Sequence, residues 1–277
     1  MTFDTIQATP VAPALGAEIG GVDLSAPLAN DVISEIRAAL LQYGVIFFRG
    51  QDITPEQHLA FAKRFGDLVD YPMVKGLDEY PEIVPVVKLE NETHNFGGIW
   101  HSDTTYLAEP PLGAILVARE LPPAGGDTLF ANMAMAYDEL SDAMKTMLSG
   151  LIAVNSSAKD TVAKSREERQ KTMDAVPEPL VAEHPVVRTH PETGRKILYV
   201  NIGHTIAIKG MGTQESGPLL DFLFAHHRRD EYTCRFKWQP GSIAFWDNRM
   251  TQHYPLNDYH GHKRVLHRIT LAGDVPV

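Results

Sequence analysis

The chain reads as mostly β, with an antiparallel core and helices packed on its outside. Two observations carry this. From Ile83 onward, short apolar runs alternate with turn residues, the pattern of half-buried and buried strands. Few stretches have both the length and the helical spacing that crossover helices in a parallel sheet require. No repeat, linker or low-complexity tract interrupts the 277 residues, so residues 1–277 are expected to form a single domain.

Residues 5–23 alternate short apolar and turn residues around Gly16, Gly20 and Gly21, and read as edge strands. Asn30 or Asp31 is expected to cap a helix with Val32, Ile36, Leu40 and Leu41 at helical spacing, ended by Gly44. Val45-Ile46-Phe47-Phe48 is a short buried strand. Thr54-Pro55-Glu56-Gln57 is a capping box with Pro at the first helical position, and its helix runs through Phe61 and Phe65 to Gly66. Strands follow over 84–89, 113–118 and 128–131, the last two separated by the tight turn Pro122–Asp127. Residues 132–148 read as one or two short helices. Lys159–Asp174 is strongly polar with little apolar periodicity and reads as a lid or a surface helix. Ile197–Val200 is a strand, Thr213–His227 a helix with Leu219, Leu220, Leu223 and Phe224 inward, and three strands close the chain at 233–238, 242–246 and 265–271.

Bulk properties exclude several function classes. Net charge is −10 with no basic block, which argues against a nucleic-acid partner. No apolar run approaches the roughly 20 residues of a membrane span. The first residues lack a basic start and apolar core, and the single cysteine, Cys234, rules out an intramolecular disulfide framework. A cytoplasmic setting is expected.

The chemistry centres on Trp100-His101-Ser102-Asp103. In an extended chain, i and i+2 share a face, so His101 and Asp103 can offer a nitrogen and an oxygen to one point. That is two thirds of a 2-His-1-carboxylate triad, which holds Fe(II) and leaves three positions open. Alone the pair means little, since chance gives roughly 1.5 such pairs in this composition. His190-Pro191-Glu192 is one, and reads as a turn between strands. Downstream, His253 offers a third ligand. Arg264, Leu266 and Arg268 alternate onto one strand face, and two arginines facing a β core need anionic partners. An arginine fork matches a carboxylate bidentately.

With these pieces in view, residues 7–274 resemble the taurine dioxygenase / 2,4-dichlorophenoxyacetate dioxygenase family. The matching motifs are Trp-His-Ser-Asp at 100–103, Gly-Gly-Asp-Thr at 125–128, Trp-Asp-Asn-Arg-x-Thr-Gln-His at 246–253, and the closing arginines. The resemblance implies a double-stranded β-helix (jelly-roll) core and Fe(II) on His101, Asp103 and His253. It implies 2-oxoglutarate as co-substrate, its distal carboxylate held by Arg264 and Thr128, and O2 as oxidant. It makes Arg268 the anchor for a substrate anion. Family members are commonly dimers or tetramers, so a homo-oligomer is expected.

The departures fall at the substrate pocket. Taurine-using members carry a histidine where this chain has Tyr71, an asparagine at Gly97 and a phenylalanine at His204. An amine-recognising set is lost, and Gly97-Gly98 open the pocket mouth. The expected substrate is therefore a small organic anion other than taurine: an alkyl sulfate, another sulfonate or an aryloxyalkanoate. Two other readings remain at this stage: a stable biosynthetic hydroxylation or desaturation with the same cofactors, and a non-catalytic jelly-roll that binds a small acid. His267, His260, His262, His226 and His227 read as structural or solvated.

Overall fold

Residues 45–48, 113–117 and 243–246 each alternate between two apolar layers, and this alternation builds the molecule. Ile46, Phe48, Ile115, Val117, Ile243 and Phe245 face one way and bury against helices; Val45, Phe47, Ala114, Leu116, Ala244 and Trp246 face the other. The computed structural model describes residues 3–71, 74–159 and 178–277.

The major sheet has eight strands. In spatial order these are β1 (Gln7–Pro10), β2 (Ala17–Gly20), β3 (Val45–Phe48), β14 (Ile243–Asp247), β6 (Gly113–Glu120), β16 (Arg264–Leu271) and β4 (Leu68–Val69), with β5 (Val84–Lys88) also paired to β16. Every pairing is antiparallel except β2 with β3. Facing it is a three-stranded sheet, β13 (Thr233–Phe236), β7 (Thr128–Asn132) and β15 (Thr251–Pro255). Phe130, Cys234 and Phe236 from this sheet meet Phe47, Leu116 and Trp246 from the other. Phe47 stacks on Phe236 at 3.9 Å between ring centres. Two smaller sheets flank this pair: β12 (Thr205–Ile208), β8 (Ile152–Ser156) and β9 (Val181–Pro185); and β10 (Val187–Thr189) with β11 (Lys196–Leu198).

Among the described residues five helices lie outside, α1 (Asn30–Tyr43), α2 (Pro55–Ala62), α3 (Met133–Asp138), α4 (Asp142–Leu148) and α5 (Thr213–His226). The mostly-β reading with helices around the core therefore holds. The capping box at Thr54 forms in full, Gln57 and Thr54 exchanging side-chain and backbone hydrogen bonds. Cys234 is a packed core residue, burial pushing its thiol up to about 12.

Several boundaries differ from the sequence reading. The cap of α1 is Ala29, with no side-chain bond; the Asn30 amide oxygen instead accepts from Arg64. Helix α2 ends at Ala62, and Phe65 packs on Phe61 from the turn beyond it. Leu219 is only partly buried on α5. The closing region has four strands, β15 being the additional one, and it carries His253. The lid expected over 159–174 lies, apart from Lys159, outside the described residues. Among the described residues, no helix is long and apolar enough to cross a membrane.

Candidate active site

The two histidines of the triad are neighbours because their backbones pair. His101 and His253 form an isolated antiparallel bridge, each N–H donating to the other's carbonyl at 3.1 and 2.9 Å. Directly paired residues project to the same side, and the two imidazoles lie 4.2 Å apart between centres. Asp103, two residues along, brings its carboxylate to the same point. Asp103 Oδ1 stands 3.6 Å from His101 Nε2 and 3.9 Å from His253 Nε2. The three ligand atoms lie within 4.8 Å of one another, all on buried residues. Expected metal-to-ligand bonds are about 2.0–2.2 Å, so a first-row divalent cation fits between them after small adjustments.

The donor set is prepared for a metal. His101 Nδ1 lies 2.6 Å from the Ile99 carbonyl. Donation to that oxygen puts the proton on Nδ1 and leaves the Nε2 lone pair facing Asp103. Burial, with the His101 ring beside it, holds the His253 imidazole well below its ordinary value, so it is neutral as a ligand must be. Burial alone would raise the Asp103 carboxyl. The Arg268 guanidinium, helped by His253 and His101, outweighs that and keeps it well below the usual carboxylate range.

Asp103 is the most heavily supported residue of the site. Its backbone N–H donates to Asn248 Oδ1 at 2.6 Å, and Asn248 Nδ2 donates to the Asp103 and Pro111 carbonyls at 3.1 and 3.2 Å. Trp246 Nε1 donates to Asp103 Oδ2 at 3.2 Å. The following residue, Thr104, has φ of 45°, a left-handed conformation that a β-branched residue adopts only where its surroundings impose it. Asn248 and Trp246 were not singled out as site residues by the sequence reading. The signal available was their place in the Trp-Asp-Asn-Arg run.

The turn that presents these residues is held by an ionic network that is buried at His190, Asp247 and Arg249 and reaches Glu192 at the surface. Asp247 accepts from Arg249 and from His190 Nε2 at 3.0 Å, while Arg249 reaches Glu192 at 2.7 Å. His190 Nδ1 accepts from the Glu192 and Thr193 N–H groups, which fixes the proton on Nε2. His190-Pro191-Glu192 is thus the expected turn between strands, and it also clamps the β14–β15 turn.

Around the triad is a cavity lined by His101, His253, Thr128, Arg264, Arg268 and Gly97, with Val86, Phe96, Leu116, Phe130 and Leu266 as apolar wall. Arg264 is buried, its Nε and Nη2 without a hydrogen-bond partner among the described residues. Burial pushes its guanidinium down from its ordinary value; Tyr259, Asp127 and Asp258 pull the other way. Such buried donors suit an anion. Thr128 Oγ accepts from Trp238 Nε1 at 3.0 Å, which leaves its own hydroxyl proton to donate. Gly126, at φ 71°, lets the chain pass where a Cβ would meet the Arg264 stem at 3.1 Å.

Arg268 pairs with Asp103 through both guanidinium nitrogens, at 3.0 and 2.9 Å. The Tyr71 ring lies 4.7 Å from its Cζ and stacks edge-on with Phe96. Gly97, at φ 69°, lies so close to His101 that a Cβ would fall 2.9 Å from the ring. His204 is buried edge-on to Tyr106 and 6.1 Å from the His101 ring, beside the triad and not on the cavity wall.

The profile described as taurine catabolism dioxygenase TauD, TfdA family matches residues 7–270. The chain belongs to this family. It is 38% identical, over 97% of its length and 90% of the relative's, to an alpha-ketoglutarate-dependent sulfate ester dioxygenase of Pseudomonas putida. It is 37% identical to an alkylsulfatase of Acinetobacter baylyi, over 94% of this chain and 83% of that one. A crystal structure of a taurine dioxygenase from Burkholderia xenovorans superposes with a TM-score of 0.85 at 39% identity, covering 99% of this chain and 93% of the other. As a TauD/TfdA member the protein is an oxidoreductase, a dioxygenase that depends on Fe(II), 2-oxoglutarate and O2.

Proposed function

We propose that this dioxygenase hydroxylates a small organic anion, with sulfate esters the favoured class, on a double-stranded β-helix core. Iron is assigned to His101, Asp103 and His253, the distal carboxylate of 2-oxoglutarate to Arg264 and Thr128, and the substrate's anionic group to Arg268. The observation that carries this reading is one cavity lined by His101, His253 and two buried arginines, with Asp103 completing the buried His-Asp-His cluster beside it. Two neutral imidazoles and one carboxylate would leave a ferrous ion held by them with a net positive charge, suited to the keto-acid end of 2-oxoglutarate. When bound, iron and O2 supply the oxidising power, and 2-oxoglutarate is converted to succinate and CO2 as the substrate gains one oxygen.

The protein's part is placement and exclusion of water. Arg264 and Thr128 fix one end of the co-substrate and leave its keto end toward the triad. The apolar wall of Phe96, Leu116, Phe130 and Val86 suits the carbon chain of an ester more than a second charged group. Tyr71 lies against Arg268, where the substrate head group would sit, Gly97 lies against the His101 ring, and His204 backs the triad. The relatives named for sulfate esters and alkyl sulfates support this class. Hydroxylation at the carbon bearing the ester oxygen gives a hemiacetal sulfate, which collapses to an aldehyde and free sulfate. A cytoplasmic, homo-oligomeric protein belongs to the same reading.

The test is substrate-dependent succinate formation across alkyl sulfates, alkyl sulfonates and aryloxyalkanoates. The expected result is the highest coupled turnover with an alkyl sulfate and equimolar sulfate and aldehyde. Turnover confined to sulfonates or aryloxy acids, or succinate without fragment release, would overturn the proposed class.

A further inference from the structure

On β5 the residue directly opposite Arg264 is a lysine. The register pairs Lys88 with Arg264, Val86 with Leu266 and Val84 with Arg268. Opposed residues of an antiparallel pair share a face. Leu266, Arg264, Arg268 and Val86 all line the cavity, so the Lys88 stem is set on that interior side. Lys88 is 2% exposed, and its Nζ has no hydrogen-bond partner among the described residues. No carboxylate of the described residues lies within 4.0 Å of it. The Tyr259 ring faces it, 4.3 Å from Nζ to the ring centre, and Arg264 Cζ lies 5.8 Å from the same centre.

This is a costly arrangement for the protein alone. A buried ammonium without an ion partner is unfavourable, and like charges directly opposite in a sheet repel. The acids nearest Arg264 are committed elsewhere: Asp127 to Arg235 at 2.7 Å, and Asp258 to the Gly126 N–H at 2.7 Å. Tyr259 offsets part of the cost through its ring face. What remains is positive charge on the side of the cavity that the proposed reading gives to a carboxylate.

We infer that Lys88 is a second cation of the pocket for the distal carboxylate of 2-oxoglutarate, acting with Arg264 beside the Tyr259 ring. The inference rests on the assignment of Arg264 made above. It makes the pocket's preference for a dicarboxylic 2-oxo acid depend on two charges and a hydroxyl, not on one arginine and a hydroxyl.

The experiment is calorimetric titration of Mn(II)-loaded, non-turning-over protein with 2-oxoglutarate and with 2-oxopentanoate, which keeps the keto-acid end and lacks the distal carboxylate. Lys88→Met should weaken 2-oxoglutarate on the order of tenfold, the scale for a cation acting within a buried site, and leave 2-oxopentanoate unchanged. Lys88→Arg should recover most of the loss. Equal weakening of both ligands, or of neither, would show Lys88 to be a packing residue and overturn the inference. Arg264→Met is the control for the underlying assignment. If it weakens 2-oxoglutarate alone while Lys88→Met does not, only the Lys88 inference fails. If Arg264→Met treats both ligands alike, the carboxylate pocket itself is misassigned and both fall.

Discussion

Replacing Asn248 should damage the metal site as well as the fold, although Asn248 is not among the assigned metal ligands. Its amide spans two segments: Oδ1 takes the Asp103 N–H at 2.6 Å, and Nδ2 serves the Asp103 and Pro111 carbonyls. All of these groups are buried. Asn248→Ala strands one buried N–H outright, at about 1–3 kcal/mol, and removes one acceptor interaction from each of two carbonyls, a smaller loss. A stability loss of about 3 kcal/mol is the reasonable scale. The loop it loosens carries Asp103 and the left-handed Thr104, so the carboxylate loses its fixed aim. Groups that orient metal ligands are worth roughly 10–100-fold in affinity, and Asn248→Ala should weaken Mn(II) or Co(II) binding by that factor. Asn248→Asp keeps an acceptor for the Asp103 N–H and loses both donors, so it should fall between the two. The assays are metal titration beside urea unfolding. Unchanged metal affinity in a destabilised Asn248→Ala protein would refute the argument, because the clasp would then be serving the fold alone.

Other outcomes follow from the same geometry. His101→Ala, Asp103→Ala and His253→Ala should each abolish coupled turnover while circular dichroism stays native; wild-type turnover in any one removes that residue from the triad. Arg264→Ala should raise the KM for 2-oxoglutarate by the equivalent of about 2–4 kcal/mol and Thr128→Ala by about 1 kcal/mol, read from initial rates; a change confined to the organic substrate's KM would reverse the two anion sites. Burial pushes His58 and His227 down to about 3, so the unfolded chain takes up their protons first on acidification. Their contribution is fully present above the unfolded value near 6.5 and is lost as pH falls from there toward 3, by about 1.4 kcal/mol per pH unit for each histidine. Urea unfolding from pH 7 to 4 should show His58→Gln reducing that slope by about one such unit; an unaltered slope would mean that the His58 proton does not contribute.

The triad was legible because metal chemistry draws on few residue types and strand geometry fixes i and i+2 on one face. Strands β3, β6 and β14 were legible because they alternate between two apolar layers, and β16 because Arg264, Leu266 and Arg268 recur at every second position. What escaped was set by contacts distant in sequence or by turns without glycine or proline. Residues 246–254 give no breaker, so β15 was not separated from β14. The break is made by the Asp247 side chain, which accepts the Arg249 N–H two residues on, while Thr251 Oγ donates to the Asp247 carbonyl. Lys88 was not singled out within its strand, because only the register against Arg264 sets it on the interior side. His190 and Glu192 looked like a chance pair, and the partners through which they clamp the turn, Asp247 and Arg249, each lie 57 residues further along the chain.

Arg268 ties the metal carboxylate to the proposed substrate site. Both its terminal nitrogens engage Asp103 and Nε donates to Thr270 Oγ at 3.3 Å, so a substrate anion must share or displace these contacts. Two opposed effects follow from removing it. The Asp103 carboxylate loses a competing cation, so Arg268→Ala should bind Mn(II) as tightly as the wild type or more tightly. The substrate loses its planar anchor, so its KM should rise and more succinate should form per substrate consumed, because a misplaced C–H is not hydroxylated when the co-substrate decarboxylates. Arg268→Lys should recover only part of this, since a point charge lacks the fork. A purely structural Arg268 would instead weaken metal and substrate together and leave the ratio of succinate to product unchanged. Measuring metal affinity and that ratio on the same variant therefore separates an anchor from a brace.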